Sequence, residues 1–302
     1  MTKTHLDPYI LVGVDGSAAA NKAVRWAAAE ADRRSKTLLI ANITDVVGFG
    51  HVPEATLPGT SFFERVDSAG RDALSAAEQR VAKHFPSVRT TTIQTSGAPV
   101  AELIRLSGDA YLTVVGASGS GGVSSLLLGS VAMALVTDGH SPVAVIRGSE
   151  NDGIVPTSGP VLLGVDAGRT SESAIAWAFD EASHRNTDLV ALHAWTAYLD
   201  VYAHVYGLTA GVDLDAEAEG EKAAVAERLA GWQEKYPDVA VTNILRTGKP
   251  GPTLLADSAN AQLVVVGSRG HGDATGVLFG SVSRALIHHA PCPVLVARNR
   301  DH

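Results

Sequence analysis

Two glycine-rich segments of matching spacing are the residues in this chain best suited to chemistry. The first reads Gly116-Ala117-Ser118-Gly119-Ser120-Gly121-Gly122 and runs on to Gly129-Ser130-Val131. The second reads Gly267-Ser268-Arg269-Gly270-His271-Gly272-Asp273 and runs on to Gly280-Ser281-Val282-Ser283. Both fit the pattern G-x2-G-x9-G-S. Glycine permits tight turns and lets backbone N–H groups approach a ligand with no Cβ in the way. Each Gly-Ser pair stands where a helix is expected to begin. The first amides of a helix have no partner inside it, and the helix dipole is positive there. A phosphate answers both features, and the serine hydroxyl adds a donor. A simpler use of the same residues is a turn followed by a serine helix cap. The recurrence of the spacing after the equivalent strand favours the anion-binding use.

The recurrence extends over the whole chain. Asp15 and Asp166, Trp26 and Trp177, Gly97 and Gly248, Gly116 and Gly267, and Pro142 and Pro293 all lie 151 residues apart. A constant offset over this length marks duplication of a unit able to fold alone, since solenoid repeats have periods of roughly 20–50 residues. The polar segment 148–159, GSENDGIVPTSG, reads as a linker. The domains are then 1–147 and 160–302.

The elements that must position the loops follow from the apolar pattern. Tyr9–Asp15 is a mostly apolar run, as expected of a strand buried on both faces of a parallel sheet. Ser17–Arg34 reads as a helix with Ser17 as its N-cap, and Ala23, Trp26, Ala27, Glu30 and Ala31 fall on one face. Leu38–Ile43 is the second strand and 46–62 an irregular connection. A helix over Glu64–His84, a strand over Val88–Thr95 and a helix over Val100–Ser107 come next. A strand over Tyr111–Gly116 leads into the loop, and a helix from about Gly129 to Asp138 precedes the last strand, Val143–Ile146. The second copy repeats this order. The fold class is α/β, with two tandem open five-stranded parallel sheets and helices on both faces, Rossmann-like in plan. Ligands of such sheets bind beyond the carboxyl ends of the strands, where strand order reverses.

Composition narrows the function. The net charge of −8 argues against nucleic acid, whose phosphates need a basic face, and against a polybasic membrane anchor. No run of about 18 apolar residues suggests a membrane span. The lone Cys292 cannot form an internal disulfide, and no leader-like segment opens the sequence. A cytoplasmic location is the expectation.

Taken together, VGVDGS and LGVDAG, the G-x2-G-x9-G-S loop and the trailing GSVSRALIHHAPCPVLV resemble universal stress proteins of the ATP-binding type. The resemblance covers nearly the whole chain, twice, and implies that each sheet is of the adenine-nucleotide α-hydrolase-like kind. It implies that Asp15 and Asp166 lie at the nucleotide, near ribose and phosphates. A carboxylate there can accept from ribose hydroxyls or hold a metal through water; the plainer alternative is an Asx-turn at a strand end. Gly13 and Gly164 would let the base lie close to the backbone. Ile43 and Ala194, at the end of strand two, would meet the adenine edge through their backbone. The first copy departs from the family at Ser118, which stands where the second has the basic Arg269, so weaker binding is expected there. ATP is the implied ligand; whether Mg²⁺ accompanies it the sequence leaves open. The resemblance also implies that the two copies pack as family dimers do, through last strands or nearby helices, with a homodimer and an unidentified protein as further partners.

Other constellations fall away. Thr247-Gly248-Lys249-Pro250 lacks the spacing of a P-loop, and G-x-S-x-G is absent. His288, His289 and Cys292 would need more ligands to hold a metal. Their counterparts Thr137, Asp138 and Ser141 are not ligand-like as a set. Trp26 and Trp177 suit core packing, His193 a satisfied core position, and 213–221 the solvated start of a helix. Arg269, Arg284 and His271 could offset charge in the second copy, but no general base stands out. The expected function is a non-catalytic ATP-binding regulator of stress adaptation or growth arrest, with one site per domain. The alternatives are a slow ATPase or nucleotidyl-transfer enzyme on the same sheet, or an interaction module without a ligand.

Overall fold

The computed structural model describes residues 8–45, 60–119, 128–148, 155–166, 172–195, 214–268 and 280–298, with side chains except those of 60–63 and 214–215. It divides into two compact units whose boundary falls between Arg147 and Gly148.

The first unit runs β1 (Tyr9–Gly13), α1 (Ala18–Arg33), β2 (Leu38–Asp45), α2 (Thr60–His84), β3 (Thr90–Gly97), α3 (Pro99–Ser107), β4 (Ala110–Gly116), α4 (Ser130–Asp138) and β5 (Val143–Ile146). Its strands are parallel and ordered β3-β2-β1-β4-β5. The second unit runs β6 (Val161–Gly164), α5 (Glu172–Arg185), β7 (Leu189–Trp195), α6 (Leu214–Lys235), β8 (Val241–Thr247), α7 (Pro250–Ser258), β9 (Leu263–Gly267), α8 (Ser281–His289) and β10 (Val294–Ala297). Its order is β8-β7-β6-β9-β10, again parallel. The α/β alternation read from the sequence is the fold. Strand order reverses at β1 and at β6, so a crevice opens beyond the carboxyl ends of β1 and β4, and of β6 and β9.

The apolar runs are strands because they are covered on both faces. Ile10, Leu11 and Val12 are fully buried, as are Val264 and Val265. Helix α1 packs on β1 and β4, and α5 on β6 and β9. Ser17 caps α1 as expected, its Oγ accepting from the Ala20 N–H at 3.1 Å. Several boundaries differ from the sequence reading: β1 ends at Gly13 rather than Asp15, and β3 runs over Thr90–Gly97 rather than Val88–Thr95. Strand β2 does not end at Ile43, because it stays paired with β3 through Thr44 and Asp45; β7 likewise runs one residue past Ala194. Helix α2 starts at Thr60, inside the segment assigned to a connection.

Each core also holds a buried ion pair. Glu30 on α1 is fully buried, and its Oε2 lies 3.3 Å from Arg34 Nε, whose Nη1 donates to Tyr111 Oη at 3.2 Å. Glu181 and Arg185 repeat this at 2.8 Å, and Arg185 Nη1 donates to Gln262 Oε1 at 3.2 Å. A carboxylate therefore occupies a helix stripe that is otherwise apolar. It is tolerated because a guanidinium one turn on is buried with it.

Candidate functional site

In the first unit the site is assembled where β1 and β4 end. Asp15 lies just past β1. Its Oδ1 accepts from the Ser17 N–H at 3.0 Å, an Asx-turn that Gly16 allows by taking φ +79°. The other oxygen faces the glycine loop, since a Cβ on Gly119 would lie 3.0 Å from Asp15 Oδ2. The turn and the site are thus one arrangement: the turn holds one oxygen and aims the second at the loop. Gly116 has a different reason to be glycine. A Cβ there would sit 2.7 Å from the Ala19 carbonyl carbon, so the first turn of α1 could not approach β4.

The loop is tied at both ends. The Ala117 N–H donates to Ile146 O at 3.1 Å, and the Gly129 N–H returns to Ala117 O at 2.8 Å. The second unit repeats both bonds, Ser268 N–H to Ala297 O at 3.1 Å and Gly280 N–H to Ser268 O at 3.0 Å. This closure sets the end of β4 or β9 beside the start of the next helix. The serine caps considered from the sequence do not form. Gly129 and Gly280 are the N-caps and supply no side-chain cap, and Ser130 and Ser281 are the first helical residues. The leading amides of Ser130 and Val131, and of Ser281 and Val282, have no partner within the helix and stand at its positive end.

Other expected site residues lie where they have additional or different work. Gly13 and Gly164 sit under leucines of the following helix layer. A Cβ on Gly13 would meet Leu103 Cδ1 at 3.3 Å, and one on Gly164 would meet Leu254 Cδ1 at 2.9 Å. Close packing of α3 and α7 is reason enough for these glycines. Ser283 is buried, and its hydroxyl donates to Gly267 O at 2.7 Å, so the side chain ties α8 to β9. Ile43 and Ala194 are half-buried near the strand ends, Ser118 is half-buried, and Gly119 is exposed. Ser120, Gly121, Gly122, Arg269, Gly270, His271, Gly272 and Asp273 lie outside the described residues.

Sequence reasoning missed a set of side chains that brace the backbone beneath the site. Asn42 on β2 donates from Nδ2 to Val14 O at 2.9 Å. His193, its mate 151 residues on, meets Val165 O through Nδ1 at 3.0 Å. A carbonyl can only accept, so Nδ1 is the donor in this contact. His193 Nε2 faces Glu221 Oε2 at 3.0 Å, so Glu221 is not simply part of a solvated helix start. One residue further along, Arg228 Nη1 donates to Asp166 O at 2.8 Å and lies 3.7 Å from Asp166 Oδ1. The sequence does carry a signal for Arg228: it falls between Val225 and Leu229, both buried, where an apolar residue would extend the stripe.

Cys292 is fully buried, and burial pushes its thiol from an ordinary 9.0 up to about 12. It replaces Ser141, whose hydroxyl shares a 2.7 Å hydrogen bond with Thr113; the matching position in the second unit is Val264. Among the described residues no group of three or more His, Cys, Asp or Glu could hold a metal, and no helix is long and apolar enough to cross a membrane.

Comparison with known proteins gives the same division of the chain. The model of the universal stress protein family matches residues 9–147 and again 158–298. Universal stress protein Rv2623 of Mycobacterium tuberculosis (strain ATCC 25618 / H37Rv) is 43% identical over 296 residues, covering 96% of this chain and 96% of that protein. Universal stress protein Rv2005c of the same strain is 39% identical over 303 residues, 99% of each. In fold, the chain is similar to a universal stress protein from Archaeoglobus fulgidus DSM 4304, with a TM-score of 0.70 at 20% identity over 99% of this chain and 100% of that one. Two closed glycine loops on two parallel sheets, each spanned by the same family pattern, place this chain in the universal stress protein family.

Proposed function

We propose that the chain is an ATP-binding regulator that holds one nucleotide per domain and does not turn it over. The observation that carries this is the tied glycine loop. In both domains it ends on a helix whose first amides have no side-chain cap, which is a fitting seat for phosphate. In the first domain the loop also lies against a carboxylate, close enough that a Cβ would crowd it. That combination suits a ligand with a polyanion at one end and hydroxyls at the other. Gly119, Gly129, Ser130 and Val131 would hold the phosphates in the first domain, and Gly280, Ser281 and Val282 in the second. Asp15 and Asp166 would accept from the ribose. A Mg²⁺ ion arriving with ATP would keep most of its ligands from phosphate and water. The chain's own residues then bind and orient the nucleotide; occupancy, read by a partner protein, is the regulatory output.

The test is direct. Purified protein is denatured and the supernatant analysed for adenine nucleotides, beside a phosphate-release assay and thermal unfolding with added ATP. Retained ATP with no steady phosphate release is expected. Multiple turnovers would make the chain an ATPase. Absence of nucleotide together with an unchanged melting temperature in ATP would leave an interaction module.

A further inference from the structure

We infer that Arg228 sets the charge of the second domain's nucleotide site and makes that site select phosphate-bearing ligands over the bare nucleoside. This rests on the ATP reading above. Both domains send an arginine from their long helix toward the same matched position on the helix after strand one. In the first domain Arg80 Nη1 donates to Asn21 Oδ1 at 2.7 Å. In the second, Arg228 Nη2 lies 3.6 Å from Glu172 Oε2, and Glu172 is the residue matched to Asn21. The two arginines are not matched to each other. Arg80 corresponds to Gly231, and Arg228 to the buried Ala77. The arginine of the second domain has therefore moved three residues, about 4.5 Å of helix, toward the N-terminus of its helix and the carboxyl ends of the strands.

That move changes what the arginine touches. Arg228 reaches past Glu172 to Asp166, donating to its carbonyl and standing beside its carboxylate. Trp232 Nε1 donates to Glu172 Oε1 at 3.0 Å and holds the other side of the group. The side chains of Arg228 and Asp166 are 17% and 25% exposed, so their charges are only partly screened by water. Asp166 and Glu172 alone would present two negative charges to an incoming triphosphate. Arg228 offsets one of them and fixes the turn that carries Asp166. The first domain has Ala77 in that place, so its Asp15 turn is held without this guanidinium.

The experiment is calorimetric titration of the full chain with ATP and, separately, with adenosine. Arg228→Gln keeps an N–H donor for the Asp166 carbonyl and removes the charge. It is expected to weaken one of the ATP binding events about tenfold, a usual scale for a charge-assisted contact, and to change adenosine binding less than twofold. Arg228→Lys is expected to recover most of the ATP affinity. Arg80→Ala is expected to leave both ligands unchanged. Trp232 fluorescence and thermal unfolding without nucleotide check that the variants stay folded. Equal losses for ATP and adenosine, or ATP binding by Arg228→Gln like that of wild type, would overturn the inference and leave the proposed function standing. A wild-type chain that binds adenosine but no ATP, or neither, would overturn both.

Discussion

Single residues in this chain are explained by what a methyl group or a hydroxyl would do in their place. A Cβ on Gly116 would press on the backbone of Ala19, so Gly116→Ala is expected to cost about 1–3 kcal/mol, seen as a lower urea midpoint with unchanged slope. Gly119→Val adds bulk beside Asp15 Oδ2 on an exposed loop. It is expected to remove ATP from the first domain while leaving the melting temperature of the nucleotide-free chain nearly unchanged. Cys292 gives a prediction in pH. Its thiol is raised to about 12 in the folded chain, whereas the unfolded thiol ionises near its ordinary 9.0. The unfolded state therefore loses its proton first, so this group's stabilisation is complete below pH 9 and fades as pH rises from about 9 to 12. Comparing wild type with Cys292→Val by urea unfolding across that window isolates the effect. A difference that does not change with pH would rule it out. Cys292→Ser puts a hydroxyl where the Val264 side chain offers no oxygen like that of Thr113 to Ser141, leaving it backbone partners alone, and is expected to cost about 1 kcal/mol.

At the scale of elements, the buried glutamates are the sharpest test. Glu30→Ala leaves Arg34 buried without its carboxylate, and Glu181→Ala does the same to Arg185; each is expected to cost about 3–5 kcal/mol in urea unfolding. Losses well under 1 kcal/mol would show that α1 and α5 are held by their alanine and aromatic contacts alone. These helices also show why some elements were legible in the sequence and others were not. β1, β4, β6 and β9 are buried on both faces, so their apolar runs announce them. Glu30 was placed correctly in helical phase, but that it is buried depends on Arg34 and Tyr111, and Tyr111 is 77 residues from Arg34. The start of α2 was read late because it follows a Gly- and Pro-bearing stretch; Ser61 and Glu64 have the S-x-x-E spacing of a capping box, and the helix begins one residue before that pair, at Thr60. The glycine loops were legible from spacing alone. Whether the serine or the glycine caps the helix is decided by backbone geometry, which no spacing records.

Across the whole molecule, the constant offset of 151 residues gave the architecture, and the departures from it mark where the domains differ. Asn42 and His193 do one job with different chemistry, and Ala77 and Arg228 do different jobs at one position. If both domains bind, nucleotide content approaches two ATP per chain. Blocking the first loop with Gly119→Val, or the second helix start with Gly280→Val, is then expected to halve it. A wild-type content of one that one variant abolishes and the other leaves unchanged would mean that a single domain holds nucleotide.

The hydrogen bond that joins the two ends of each glycine loop has a consequence for how such a chain can change. Like a bracelet fastened at its clasp, the loop keeps its shape of attachment whatever is threaded along it. Ser118 can stand where its twin has Arg269, and the intervening letters can be rewritten, while Ala117 and Gly129 go on gripping each other through main-chain atoms that every residue but proline can supply. A duplicated protein fastened in this way can give its halves separate tastes at little risk to its frame.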